Sequence, residues 1–449
     1  MMKEDLRKLE EQINSPDKEV RRDAAKALGA MIREGELSRE VLLEVNNHVH
    51  TKLSFSPYQP AAAAYQAWKA GLGIVGSIDH DSIGAAEEML EAASDLGIAS
   101  TVGFEVRSSF LDTPLGDRKI NNPDSKGIVY MCVHGVPRQH IKDAAAFLAP
   151  IGRIRGQRNR AMVSKFNALG LEFSLDYDAD VLPLSRHMDG GSVTERHILY
   201  ALSLKMIKAL GKGDGLVCYL KDKLSLSLSP TICSRLLDEK NVHYAYDLLG
   251  VLKSSYLPKF YIQPGRDECP DARDVVKFSL SIGAIPAYAY LGDISQSPTG
   301  DKKAEKFEDD FLDELLDLLV DIGFPAVTYM PPRNTELQMK RLQEGCRKRN
   351  LMEISGVDIN SSRQVFNCPQ MLMPICSHLV DSAWALVAHE KLSAWGLEYG
   401  IFAARNPLFS ENETLQEKIV QYSGYGRKLD QHDPFGSSRH LIDSLMGNR

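Results

Sequence analysis

The sequence predicts a parallel α/β barrel interrupted by a helical insertion, and three observations carry that expectation. From Val41 to about residue 140, short apolar segments alternate with amphipathic helices, the rhythm of a parallel sheet joined by crossover helices. The alternation then gives way to a helix-rich stretch and resumes beyond about residue 262. Potential metal ligands fall at the ends of successive predicted strands, where barrels of this kind carry their reactive groups.

Residues 1–40 read as a helical N-terminal cap. Leu6, Leu9 and Ile13 share one face, and a second helix begins with Ser15 as N-cap and Pro16 at its first position. Residues 41–140 form the first part of the barrel. "VLLEVNNHVH", "GIVGSIDH", "IASTVGFEVRSS" and "GIVYMCVHGVP" are its strands, and "PAAAAYQAWKAGL" and "AAEEMLEAASDLG" are helices between them. Residues 141–262 are the helical insertion. Residues 263–365 return to the barrel through three helix–strand pairs, the last ending in "SGVDIN". Residues 366–449 form a C-terminal extension with no catalytic pattern, where His378 and His389 read as ordinary helix residues.

A chain of 449 residues is too long for one simple core, which stops growing near roughly 250 to 300 residues. Its 53 Lys and Arg against 60 Asp and Glu leave a net charge of -7, which offers nucleic acid or acidic membrane no bulk attraction. Seven scattered cysteines without a CxxC pair argue against a disulfide framework and for a reducing, cytoplasmic setting. No signal core or long apolar run marks a membrane partner.

The candidate ligands are His48 and His50 on the first strand, Asp79, His80 and Asp81 at the second, Glu105 on the third, His134 on the fourth, and Asp358 and Asn360 in "SGVDIN". Alternate residues of a strand point the same way, so His48 and His50 can face one ion. Imidazoles and carboxylates are the donor set of zinc, manganese and iron. Asp79-His80-Asp81 alone would also suit a turn with a capping aspartate. With only twelve histidines in the chain, the joint placement of four of them favours a metal site.

The ordered motifs "HVHT", "SIDHD", "GFE" and "VHGVP" resemble those of the PHP (polymerase and histidinol phosphatase) superfamily of metal-dependent phosphoesterases. "RNRAMVSKFNALGLEF" and "TERHILYAL" resemble the helical insertion of its small phosphoesterases, whose forms include "GRPHIARAL". The resemblance implies a distorted (β/α)7 TIM-like barrel with an inserted helical subdomain, here carrying a helical N-terminal extension, and one to three divalent metal ions. It assigns a first ion to His48, His50, Glu105 and Asp358, all present. A second ion would take His80 and Asn360, with Phe55 or Ser56 where relatives supply another ligand. A third would take Glu105 and His134, with Tyr290 falling where relatives carry a histidine.

The resemblance further implies hydrolysis of a small phosphorylated or nucleotide-like substrate by metal-bound hydroxide. His80 and His134 would support the reaction, and His197 or Asp81 would protonate the leaving alkoxide. Asp79 would orient a ligand imidazole. Arg196 and His197 would bind phosphate, with further candidates in Arg107, Arg333, Arg363 and the cluster Arg153, Arg155, Arg158 and Arg160. A regulatory protein retaining a structural ion, and a C–N bond hydrolase, are the other readings. Oligomeric state is not legible.

Overall fold

The computed structural model describes residues 2–294, 306–410 and 412–447. Seven strands, β1 (Val45–Val49), β2 (Ile74–His80), β3 (Ala99–Ser109), β4 (Ile128–His134), β5 (Ile285–Tyr290), β6 (Ala326–Tyr329) and β7 (Met352–Ser355), form one sheet in chain order. The sheet is open, and its two ends meet at a single parallel bridge between Val49 and Ile359. There the His50 amide donates to the Ile359 carbonyl at 3.1 Å, and the Ile359 amide to the His48 carbonyl at 3.2 Å. Asn46 and Asn47 reach across the same seam, donating their side-chain amides to the carbonyls of Val357 and Ser355. Gly356 is required here, because a Cβ on it would meet the His48 Cβ at 2.4 Å.

The expectation of an all-parallel sheet fails at β4, which runs antiparallel to both β3 and β5. A parallel return needs a crossover of a dozen or more residues, usually a helix. Residues 110–127 contain turns and no helix, so the chain comes straight back. The first strand is also shorter than its apolar run, with Val41 and Leu43 exposed ahead of it.

Helices Pro60–Lys69, Ala86–Leu96, Ala272–Ser281, Leu312–Ile322 and Glu336–Lys348 bury apolar faces in the main core with outward residues of the sheet such as Tyr288, Val327 and Tyr329. A second cluster, around Met162, Leu199, Leu202, Leu248 and Phe260, is built from the long helices Ile141–Asn167, Glu195–Leu210 and Tyr244–Phe260, and Phe55 from the loop after β1 joins it. Helix Ser377–Ser393 supplies Ala385, Leu386 and Leu392 to a third cluster with Ile285, Ala287, Ala326, Met352 and Ile354. At the N-terminus, helices Met2–Gln12 and Lys18–Arg33 form, but the second is capped by Asp17 rather than Ser15. The Asp17 carboxylate accepts from the Glu19 amide at 2.9 Å, while the Ser15 hydroxyl is spent on the Asp17 amide.

Candidate metal centre

Four separate segments bring donor atoms together inside the curl of the sheet. The His48 Nε2 lies 3.2 Å from the His50 Nε2 and 3.1 Å from the Glu105 Oε2, and the His50 Nε2 lies 3.2 Å from the Asp358 Oδ1. The His80 Nδ1 stands 3.6 Å from the Glu105 Oε2. Two nitrogens bound to one tetrahedral zinc ion would stand about 3.3 Å apart, so these spacings fit donors around a common ion.

The backbone explains the convergence. One extra residue on β1, between the pairs Asn46–Val75 and Val49–Ser77, bulges the strand where His48 sits. His80 ends β2 directly opposite Glu105 on β3. Asp358 lies beyond β7 and reaches His50 only because the Val49–Ile359 bridge draws that segment across.

Protonation of His80, His134 and the two carboxylates suits metal binding, whereas at His48 burial lowers the imidazole but Cys132 and Glu105 outweigh it, raising it well above its ordinary value. Burial pushes the imidazoles of His80 and His134 down to about 3, which leaves both neutral at neutral pH, the form a ligand needs. Burial would raise the Glu105 carboxyl, but His80, His48 and His50 around it bring it down to about 2. Burial likewise opposes ionisation of Asp358, and His50, His48 and Arg196 outweigh it, holding the group well below the usual carboxylate range.

Behind the donors lies a chain that fixes one tautomer. Asp79 accepts hydrogen bonds from the Thr51 amide at 2.7 Å, the Thr51 hydroxyl at 2.6 Å and the Ser54 hydroxyl at 2.6 Å. Having given its proton to a carboxylate, Ser54 can only accept from His50, whose Nδ1 stands 3.3 Å away. His50 therefore carries its proton on Nδ1 and turns the Nε2 lone pair toward Glu105 and Asp358. Asp79 thus acts on the His50 imidazole through Ser54, a residue that no motif singles out.

His134 is not at the level of the other donors. Because β4 is reversed, its last residue pairs with Ile285 at the start of β5, while Cys132 stands opposite Glu105. Tyr130, Cys132 and His134 share the inner face, with the Tyr130 ring 6.1 Å from that of His80. The Cys132 Sγ lies 3.8 Å from the His48 Nδ1. Asn360 donates its side-chain amide to the Asp358 Oδ1, so it orients that carboxylate instead of offering its carbonyl to an ion.

Tyr290 was expected to face the centre in place of a histidine, and it points the other way. Cys132 pairs with Ala287, which puts Ala287 and Ala289 on the inner face and Tyr288 and Tyr290 on the outer one. The Tyr290 hydroxyl donates to Asp309.

The arginines divide sharply. Arg107, Arg155 and Arg158 are buried with Asp81 and Glu268, and with the partly buried Glu195 form a balanced network that rivets the insertion to the sheet. Arg158 contacts Glu195 and Glu268 at 2.6 Å each, and Arg155 donates to Glu195 at 3.0 Å and to Asp81. Burial opposes ionisation of Glu195, but Arg155, Arg107 and Arg158 hold it well below its ordinary value. These guanidiniums are neutralised internally, and Asp81 is held as the partner of Arg155 rather than as a free acid. Counting back from His197 in "TERHILYAL", Glu195 occupies the place of the arginine in "GRPHIARAL", a cue visible in the sequence.

Arg160 pairs with Asp178 and Arg153 is exposed. Arg363 holds Asp247 of the insertion through two contacts of 2.6 Å. Arg333 donates to the Leu291 carbonyl and lies over Phe307.

His197 accepts the Thr194 amide at Nδ1, 2.9 Å, completing a capping box, and burial lowers it to about 3. It is a neutral helix cap rather than a cationic phosphate ligand or a ready acid. Arg196 is different. Half-buried beside Phe55 and among the charges acting on Asp358, it makes no hydrogen bond or ion pair among the described residues. Phe55, expected only as a missing ligand, stacks edge-on with His197 at 5.1 Å and Tyr200 at 5.7 Å, and forms one wall of this region.

Fold and site together define an α/β protein with a candidate metal centre at the mouth of a curled sheet. No protein family profile matches the chain, and no curated protein does either. Among solved structures, one from Bifidobacterium adolescentis, described as a candidate metal-dependent phosphoesterase, is 18% identical, with a TM-score of 0.46 over 74% of this chain and 95% of its own. A second, an amidohydrolase from Chromobacterium violaceum with bound sulfate and no metal, is 17% identical, with a TM-score of 0.47 over 74% of this chain and 93% of its own.

Proposed function

We propose that the chain is a metal-dependent hydrolase acting on a small phosphoester. The observation that supports it most is the convergence of His48, His50, Glu105 and Asp358, with His80 beside them, at spacings of 3.1 to 3.7 Å. A divalent ion held there would supply Lewis acidity toward a phosphoryl oxygen and toward an attacking water.

The chain's own groups do the rest. Ser54 and Asp79 keep His50 in the ligating tautomer, and Asn360 aims Asp358. Arg196, which makes no hydrogen bond or ion pair among the described residues, meets the anionic oxygens of the substrate. The aromatic wall of Phe55, Tyr200 and Tyr246 excludes water on that side. Asp81 and His197 are both committed elsewhere, so the leaving alkoxide takes its proton from solvent, and esters of acidic alcohols react fastest.

A C–N bond hydrolase would use the same donors. Arg196, which makes no hydrogen bond or ion pair among the described residues, favours a phosphoryl group, because a guanidinium complements the charge that a phosphoester already carries in its ground state and a neutral amide lacks. Assay of metal-loaded protein against phosphomonoesters, phosphodiesters and amides separates the readings. Turnover of amides alone, or of none, overturns this proposal.

A further inference from the structure

We infer that Cys132 supplies a sulfur donor to the centre, so that its inner end is a mixed nitrogen, oxygen and sulfur site suited to zinc or another thiophilic divalent ion. This rests on the metal-centre reading above and specifies it. The cysteine is fully buried in the middle of β4, directly opposite Glu105. Its sulfur, a nitrogen of His48 and a carboxylate oxygen of Glu105 all lie within 4.8 Å of one another.

A second observation points the same way. His134, two residues along the same face of β4, is 1% exposed, and its Nε2 has no hydrogen-bond partner among the described residues. The charged groups that act on it are His48 and Glu105. Buried polar nitrogens in proteins are almost always partnered, and this one stands on the same inner face of the sheet as the Cys132 sulfur. The partner of Cys132 on β5 is Ala287, which packs with helix Ser377–Ser393.

The other six cysteines fall in none of the potential ligand groups found among the described residues. Thiolate ligands favour zinc over manganese or magnesium, whose preferred donors are oxygen. On binding, the thiol gives its proton to solvent and its sulfur lone pair to the ion.

The test loads the full-length metal-free chain with cobalt(II) and records its absorption spectrum. The expected spectrum has ligand-field bands together with a near-ultraviolet sulfur-to-cobalt charge-transfer band, and Cys132→Ser keeps the first and loses the second. Ligand-field bands without charge transfer in the native chain overturn the sulfur ligand while leaving the metal centre intact. A band that survives in Cys132→Ser assigns the sulfur to another cysteine and overturns it too. Failure to bind cobalt overturns this inference and the metal-centre reading together. Should Cys132→Ser not fold, X-ray absorption on the zinc-loaded native chain decides. A sulfur shell at about 2.3 Å is expected, and a shell of nitrogen and oxygen alone at about 2.0–2.1 Å overturns the inference.

Discussion

Glu105 and Cys132 face one another across the antiparallel pairing of β3 and β4. That register decides which β4 side chain stands level with the ligands, and the β4–β5 pairing sets Ala287 and Ala289, rather than Tyr290, on the inner wall.

The register is testable by adding a ligand. Tyr290→His will leave the number of bound ions unchanged and will lower stability, because it removes a buried hydroxyl bonded to Asp309. The cost expected is about 1–3 kcal/mol. Ala289→His, on the inner face, is the substitution that changes metal stoichiometry, read by elemental analysis of the purified variants.

Removing a donor from the core of the centre has a different signature. His48→Ala and Glu105→Gln will each abolish tight metal retention and turnover together, measured by metal content after dialysis and by initial rates. A fully active His48→Ala variant would remove the basis for the proposed chemistry.

Ser54→Ala will weaken metal binding by about 10- to 100-fold, the usual consequence of losing an outer hydrogen-bond partner of a ligand. Asp79→Asn will do at least as much, because Asp79 also holds the Thr51 amide and hydroxyl. Competition against a chromophoric chelator measures both. Equal affinity in Ser54→Ala would show that the tautomer of His50 is set some other way.

Arg196→Ala will leave the melting temperature nearly unchanged, since no internal bond is lost, and will reduce kcat/KM for phosphoesters by about 10- to 100-fold, equivalent to about 1.5–3 kcal/mol. Arg155→Ala will behave oppositely. It strands the buried Asp81 and removes one of the three arginines around Glu195, and is expected to cost about 3–5 kcal/mol in unfolding free energy.

Two buried histidines outside the donor set give the fold an acid limit. Burial lowers His197 to about 3 and His389 to about 4. Each is neutral in the folded chain and titrates near about 6.5 once unfolded. Below that pH the unfolded chain binds more protons, so stability is fully present above about 6.5 and falls as the pH drops toward 4. The loss expected by pH 5 is on the order of 2 kcal/mol for each histidine. Thermal melts of the metal-free protein across this range measure it, and a Tm independent of pH between 7 and 5 would contradict the assignment.

The alternation of apolar segments and helices was enough to place the seven strands, because hydrophobic periodicity is a local property. The spacing of His48 and His50, and their recurrence with His80 and Glu105 at adjacent strand positions, was equally local, since side chains alternate along any strand. The direction of β4 was not written in its own residues. It followed from the absence of a helix in residues 110–127, and it exchanged His134 for Cys132 at the level of Glu105. Asp358 lies in the centre because a seam between the two ends of the sheet closes at Val49 and Ile359. Asp79 became the anchor of Thr51 and Ser54, and Glu195 the neutraliser of three arginines, through contacts between segments distant in the chain. The sequence by itself determined which strands exist and which donors they carry. Strand direction, seam closure and ion pairing are set by long-range packing, and they alone decided which of those donors face one another and which arginine stays unpaired.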